Sequence, residues 1–282
     1  MSRETGIEWT DSTFNCWMGC TNISPGCERC YAEVWSKRAG LVQWGNHPRR
    51  RTSAAYWKQP VQWNADAARF QAQHGRRQRV FCASLADWLD NQVDPAWRLD
   101  LLRLIDGTPQ LDWLMLTKRP ENARKLVPAE WFGRPNVWLG VTVEREDFVH
   151  RVDTLRALPA AIRFLSVEPL IGPVGPLDLT GIHWVIQGGE SGPGARPMRI
   201  EWLREVFDQC RAQGVPVFLK QYGTAPNNPL WHTAPSGVSP SAWVNRHDPI
   251  GKGGSLLDGR SWKEFPAAAR AAAQQRQAAR CS

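Results

Sequence analysis

The sequence predicts an α/β protein, one large barrel with appendages, and three observations predict it. The length of 282 residues lies within reach of a single α/β barrel. Hydrophobic residues make up 42% and charged residues 22%, which allows a sizeable core and argues against wholesale disorder. Short apolar runs, rich in β-branched or aromatic residues, alternate with stretches of helical period, as in a parallel sheet, open or closed.

In order, the strand-like runs are "VFCASL" from Val80, "WLMLTKR" from Trp113, "VWLGVTVE" from Val137, "IRFLSVEP" from Ile162, "IHWVIQGGES" from Ile182 and "VPVFLKQ" from Val215. A short strand, "IEWTD", precedes them. Between them "PAWRLDLLRLIDG" opens on Pro95 and stops at Gly107, "EDFVHRVDTLRAL" stops before Pro159, and "IEWLREVFDQCRAQG" ends at Gly214. Nearly every run finishes in a polar residue: Asp87 shortly after the first, then Thr117 and Lys118, Glu144, Glu168, Glu190 and Lys220. Ligands of parallel α/β sheets sit at the C-terminal strand ends, so these residues are expected to converge on one mouth. The alternative for each is a strand-end salt bridge.

Two regions break the repeat. Residues 44–79 hold "HPRRRTSAAYWKQPVQW" and "GRRQR", a basic, aromatic insertion that suits a nucleic-acid surface or a solvated connection. Residues 224–260, rich in Pro, Gly, Ser and Asn, read as a long loop, followed from Pro266 by an Ala/Gln/Arg tail. The domain reading is therefore a barrel over 1–223, interrupted by 44–79, and an extension over 224–282 that packs on it.

The formal charge of +8 comes mainly from arginine, whose planar fork suits phosphates and stacks on bases. Codon bias in a GC-rich genome is the bland alternative. Sixteen tryptophans include candidate stacking surfaces, although most large aromatics simply pack. No basic segment leads into an apolar run at the start, and no stretch of about 18 apolar residues occurs, so a cytoplasmic protein without membrane contact is expected. Seven cysteines are an odd number, and in a reducing cytosol clustered thiols usually mean a metal.

The cluster is "GCTNISPGCERCYAE", with Cys20, Cys27 and Cys30 in one short segment and Cys16 just upstream. Paired zinc knuckles normally stand further apart, although a tight loop that recruits Cys16 could still bind one zinc with four thiolates. Three thiolates in one loop also match a [4Fe-4S] cube with three irons tied to protein and the fourth left open. Pro25 and Gly26 turn the chain, and Cys27 and Cys30 are expected on the first turn of the helix "CERCYAEVWSKRAG".

"IEWTDSTFN", "GCTNISPGCERCYAE", "LTKRPENA", "LGVTVE", "FLSVEPL", "WVIQGGESGPGARPM" and "FLKQYG" together resemble the phage- and prophage-encoded three-cysteine proteins of long-uncharacterised function, generally placed beside radical SAM enzymes such as spore photoproduct lyase. The likeness runs from about Ile7 to Gly223, with a weaker echo in "LLDGRSWKEFP". It implies a partial (β/α) barrel of about six parallel strands. It also places the metal ligands on Cys20, Cys27 and Cys30. Cys16 stands where relatives usually have proline and is a spare thiol. The spacing C-x6-C-x2-C departs from the C-x3-C-x2-C of most radical SAM enzymes.

The resemblance further implies S-adenosylmethionine (SAM) as cofactor, chelated to the open iron by its methionine amine and carboxylate. An electron donor such as flavodoxin or ferredoxin would reduce the cube, and a 5′-deoxyadenosyl radical would attack substrate. On the SAM side it places Tyr31, Ser84, Asp87, Glu144, Gly188, Gly189 and Glu190; on the substrate side, as catalytic candidates, Lys118, Glu168 and Lys220. Lys118 with Arg119, or Lys220, could instead hold a carboxylate or phosphate. The phage setting and the Arg/Trp-rich insertion favour a hypermodified thymidine in phage DNA, rearranged by an isomerase. The alternatives are a lyase or modifier of RNA, protein or a metabolite, or a non-catalytic nucleic-acid-binding protein stapled by zinc. Cys82 and Cys210 lie in apolar patterns and read as core residues.

Overall fold

The computed structural model describes residues 5–224, 227–248 and 250–266. Within these, two compact units are distinguished: one runs to Val141 and includes Asp153–Arg163, the other comprises Thr142–Val152 and Phe164–Phe265.

In the first unit, β1 (Ser12–Phe14), β2 (Gln78–Cys82), β3 (Leu111–Thr117) and β4 (Val137–Thr142, its last residue counted with the second unit) lie side by side in that order, all parallel. Phe14, Cys82, Met115 and Leu139 stand in register across them. Between β1 and β2 the chain forms α1 (Tyr31–Ala39), α2 (Gln59–Ala65) and α3 (Ala67–His74), so the basic insertion is largely helical. Its Tyr56 stacks on buried Phe14, with ring centroids 5.2 Å apart, and Trp57 meets the same ring edge-on. The segment thus covers core as well as carrying charge.

α4 (Pro95–Asp106) joins β2 to β3. Pro95 presets the first helical φ, and the Asp94 carboxylate accepts from the Ala96 N–H at 2.8 Å. Its buried residues include Leu101, Leu102 and Ile105. α5 (His150–Arg156) follows β4.

In the second unit, β5 (Ile162–Val167, from Phe164 onward), β6 (Trp184–Gly188) and β7 (Val217–Gln221) are again parallel neighbours. α6 (Ile200–Ala212) buries Leu203, Val206, Phe207 and Cys210, and α7 (Pro240–His247) follows β7. Burial pushes the Cys210 thiol up to about 12, as befits a core residue. Trp184 packs against Phe164, Phe218 and Phe265. Residues 262–264 run antiparallel to β7, with the Leu219 N–H donating to the Trp262 carbonyl at 2.7 Å.

The protein is therefore α/β with seven parallel strands among the described residues, and the six expected runs and three expected helices all form. Two details differ from expectation. The first strand is Ser12–Phe14 and not "IEWTD", because the Thr10 N–H bonds back to Ile7 and Asp11 turns to Arg76. Residues 224–260 are not one long loop: Asn228 caps a short 3-10 turn, Pro229–His232, and Pro240 opens α7. The tail from Pro266 lies outside the described residues from residue 267 onward. No helix among the described residues is long and apolar enough to cross a membrane.

Candidate functional site

The cysteines occupy the connection from β1 to α1. At its start Asn15, fully buried, donates to Ser84 Oγ at 3.0 Å and accepts from the Leu85 N–H at 2.7 Å. Trp17–Met18 then pairs antiparallel with Arg50–Arg51. Gly19 turns the chain at φ 101°, and a Cβ there would sit 3.1 Å from Val42 and 3.3 Å from Arg49, so glycine is required just before Cys20.

Cys27 ends a 3-10 turn, Pro25–Cys27, and Cys30 is the extended N-cap of α1. This corrects the expectation that both lie on the first helical turn. Tight bonds from Glu28 N–H to the Pro25 carbonyl and from Cys30 N–H to the Cys27 carbonyl finish the turn before the α-helix begins. Cys30 packs with Leu41, Val42 and Trp44 against Met18, Ala32 and Leu85.

Asp87, after β2, is a hub: its carboxylate accepts from the Leu89 N–H at 2.9 Å, the Thr117 hydroxyl at 2.7 Å, the Lys118 N–H at 2.9 Å and Arg119 Nη1 at 3.2 Å. Arg119 Nη1 also donates to Cys20 Sγ at 3.3 Å. Burial, reinforced by Asp87 and opposed by Arg119, pushes the Cys20 thiol up to about 12. Burial also raises Cys30, opposed by the Glu33 and Ala32 N–H groups and by the Lys118 charge. Tyr31 donates its hydroxyl to the Ser84 carbonyl at 2.8 Å. Of the expected site residues, the first unit thus links Cys20 to Asp87 through Arg119, Asp87 to the Lys118 N–H, Tyr31 to Ser84, and Cys30 to the charges of Lys118 and Cys27.

Cys16 stands apart from this set: it is fully buried and its thiol is hydrogen-bonded to that of Cys82, which burial raises well above the usual thiol range. Among the described residues no three His, Cys, Asp or Glu side chains are grouped closely enough to hold a metal ion. The donor chemistry of the loop still suits an iron–sulfur cluster. Its thiols are soft donors, and the cationic Arg119 beside Cys20 and Lys118 beside Cys30 offset part of the burial that raises those two thiols.

The remaining expected residues belong to the second unit, and each carboxylate has an internal partner. Glu144, fully buried, accepts from Arg151 at 2.9 Å; Glu168 meets Lys220 at 2.5 Å; Glu190 holds Arg196 through Nη2 at 2.7 Å and through its backbone N–H at 2.8 Å. Gly188 and Gly189 answer to packing: a Cβ would stand 2.9 Å from the Gln221 carbonyl oxygen at the first and 1.9 Å from that of Tyr222 at the second.

A family model described as "Protein of unknown function (DUF5131)" matches residues 4–266. The chain belongs to that family. No curated protein and no solved structure matches it.

Two residues of this DUF5131 member have structural settings that its sequence alone does not show. Arg119 entered there as an anion holder, whereas it grips the cysteine loop from a strand end about a hundred positions away. Gln187, fully buried at the end of β6, has a side-chain amide with no partner among the described residues. Its signal was a polar residue directly before the Gly-Gly pair, overshadowed by Glu190.

Proposed function

We propose that the protein is a radical SAM enzyme on a partial (β/α) barrel, with a [4Fe-4S] cluster on Cys20, Cys27 and Cys30. The observation that carries this reading is the sorting of the four thiols on the β1–α1 connection: Cys20, Cys27 and Cys30 follow the Gly19 turn, whereas Cys16, before it, is withdrawn to Cys82. A four-thiolate zinc staple needs Cys16, so the withdrawal weighs against it. When bound, the cluster would supply the single electron that opens the sulfonium of SAM.

The chain's own part is to bind, orient and exclude water. Asp87 ties the ends of β2 and β3 together beside Cys20, and Tyr31 and Ser84 meet at the base of α1. Glu168 with Lys220, a partly exposed pair, is the candidate for holding or moving a proton on the substrate side. The substrate in this reading is a modified nucleobase in DNA, rearranged by an isomerisation. Beside the cysteines, exposed Tyr31 and Trp35 stand with exposed Arg29 and Arg38, a stacking and phosphate-binding combination.

Anaerobic purification tests the cofactor. The wild type and Cys16→Ala are expected to be brown and iron-loaded, and the Cys20, Cys27, Cys30 triple alanine variant colourless. A colourless protein that holds one zinc and needs all four cysteines would remove the radical reading. For DNA, reversing Arg29 and Arg38 is expected to weaken binding and flatten its salt dependence; an unchanged slope would take DNA off this face.

A further inference from the structure

Arg119 follows β3, and its side chain is 6% exposed. Nη1 donates to Cys20 Sγ at 3.3 Å and to Asp87 Oδ2 at 3.2 Å, while Nη2 donates to the Thr21 carbonyl at 2.6 Å. The fork therefore brackets the Cys20–Thr21 peptide, one arm on the sulfur and the other on the next carbonyl. Its anchor cannot swing, because the Asp87 carboxylate is fixed by Leu89, Thr117 and Lys118.

Thr21 is gripped from a second direction. Its hydroxyl accepts from Arg49 Nη2 at 2.7 Å and donates to the Gly45 carbonyl at 2.9 Å, and Arg49 is paired with buried Asp90. Two arginines, each anchored on a buried aspartate, thus hold one dipeptide. Rigidity alone is met by Arg49 on the Thr21 hydroxyl and by Arg119 on the Thr21 carbonyl. The further bond places a shielded positive charge on a sulfur, where a low local dielectric magnifies its effect.

We propose that Arg119 is the positioning residue of the Cys20 sulfur and raises the reduction potential of the cluster, its N–H and charge favouring the more negative, reduced state. The inference rests on the cluster reading above. Reduction adds one electron, supplied in the test by dithionite, and the positive charge of Arg119 offsets the negative charge gained.

The experiment is an anaerobic, EPR-monitored dithionite titration, without SAM, of reconstituted wild type, Arg119→Gln and Arg119→Lys, with iron content measured in parallel. Arg119→Gln is expected to keep its iron and to lose at least tenfold in the reduction equilibrium, a midpoint lower by about 59 mV for one electron. Arg119→Lys, which keeps the charge but not the fork, should fall between. An Arg119→Gln cluster with the wild-type midpoint overturns the inference and leaves the cluster reading standing. A wild type that takes up no cluster overturns that reading itself. Should Arg119→Gln fail to hold iron, Arg119→Lys decides: a midpoint below wild type supports the role, and an equal one overturns it.

Discussion

Arg49 Nε lies 2.7 Å from Asp90 Oδ2, with both side chains about 1% exposed. Arg49 comes from the "RRR" of the basic insertion, where a nucleic-acid contact was one expectation. It is instead a structural cation, whose guanidinium also donates to the Gly45 and His47 carbonyls. Its neighbours are bound as well, Arg51 to Asp100 at 2.8 Å and Arg50 to the Leu41 carbonyl at 2.9 Å. Removing one partner of a buried pair strands the other charge. Arg49→Met or Asp90→Asn is expected to cost about 3–5 kcal/mol in urea unfolding. A cost below about 1 kcal/mol would mean that water reaches the pair.

Asp11 anchors the start of β1. Burial alone would raise its carboxyl, but the hydrogen bond and charge of Arg76, with the Arg79 N–H, hold it below the usual carboxylate range. A depressed folded-state value contributes stability above the unfolded value, and that stability is lost as pH falls through the folded one. Asp11→Asn should therefore cost about 1–2 kcal/mol at neutral pH and progressively less as pH drops below the ordinary carboxylate range. A difference that does not shrink with acid would disprove the assignment.

Gly189 has no room for a methyl group. A Cβ would lie 1.9 Å from the Tyr222 carbonyl oxygen, a backbone atom that moves only if β6 and β7 separate at their ends. Gly189→Ala is expected to lower stability by about 3 kcal/mol or more. Near-wild-type thermal melting would show that the two strand ends part readily.

Gln187 is fully buried, and its amide finds no partner among the described residues. An unmet buried polar group costs about 1–3 kcal/mol, so Gln187→Met should leave the ligand-free protein as stable as wild type or more so. A marked fall in melting temperature would mean that the amide is bonded within the protein.

Much of this was legible in the chain itself. Continuous apolar runs set against a helical period of three to four residues place the strands and α4, α5 and α6, because parallel strands buried on both faces are apolar throughout and helix stop signals stand at Gly107, Pro159 and Gly214. The crowding of Cys20, Cys27 and Cys30 was equally plain, since one loop must carry all three. Partnership was not legible. That Arg49 seeks Asp90, that Cys16 turns to Cys82, and that Arg119 reaches Cys20 all depend on distant segments meeting in three dimensions. A sequence lists charges and thiols without saying which are desolvated. Burial decides that, because a charge taken from water must find its countercharge wherever the fold delivers one.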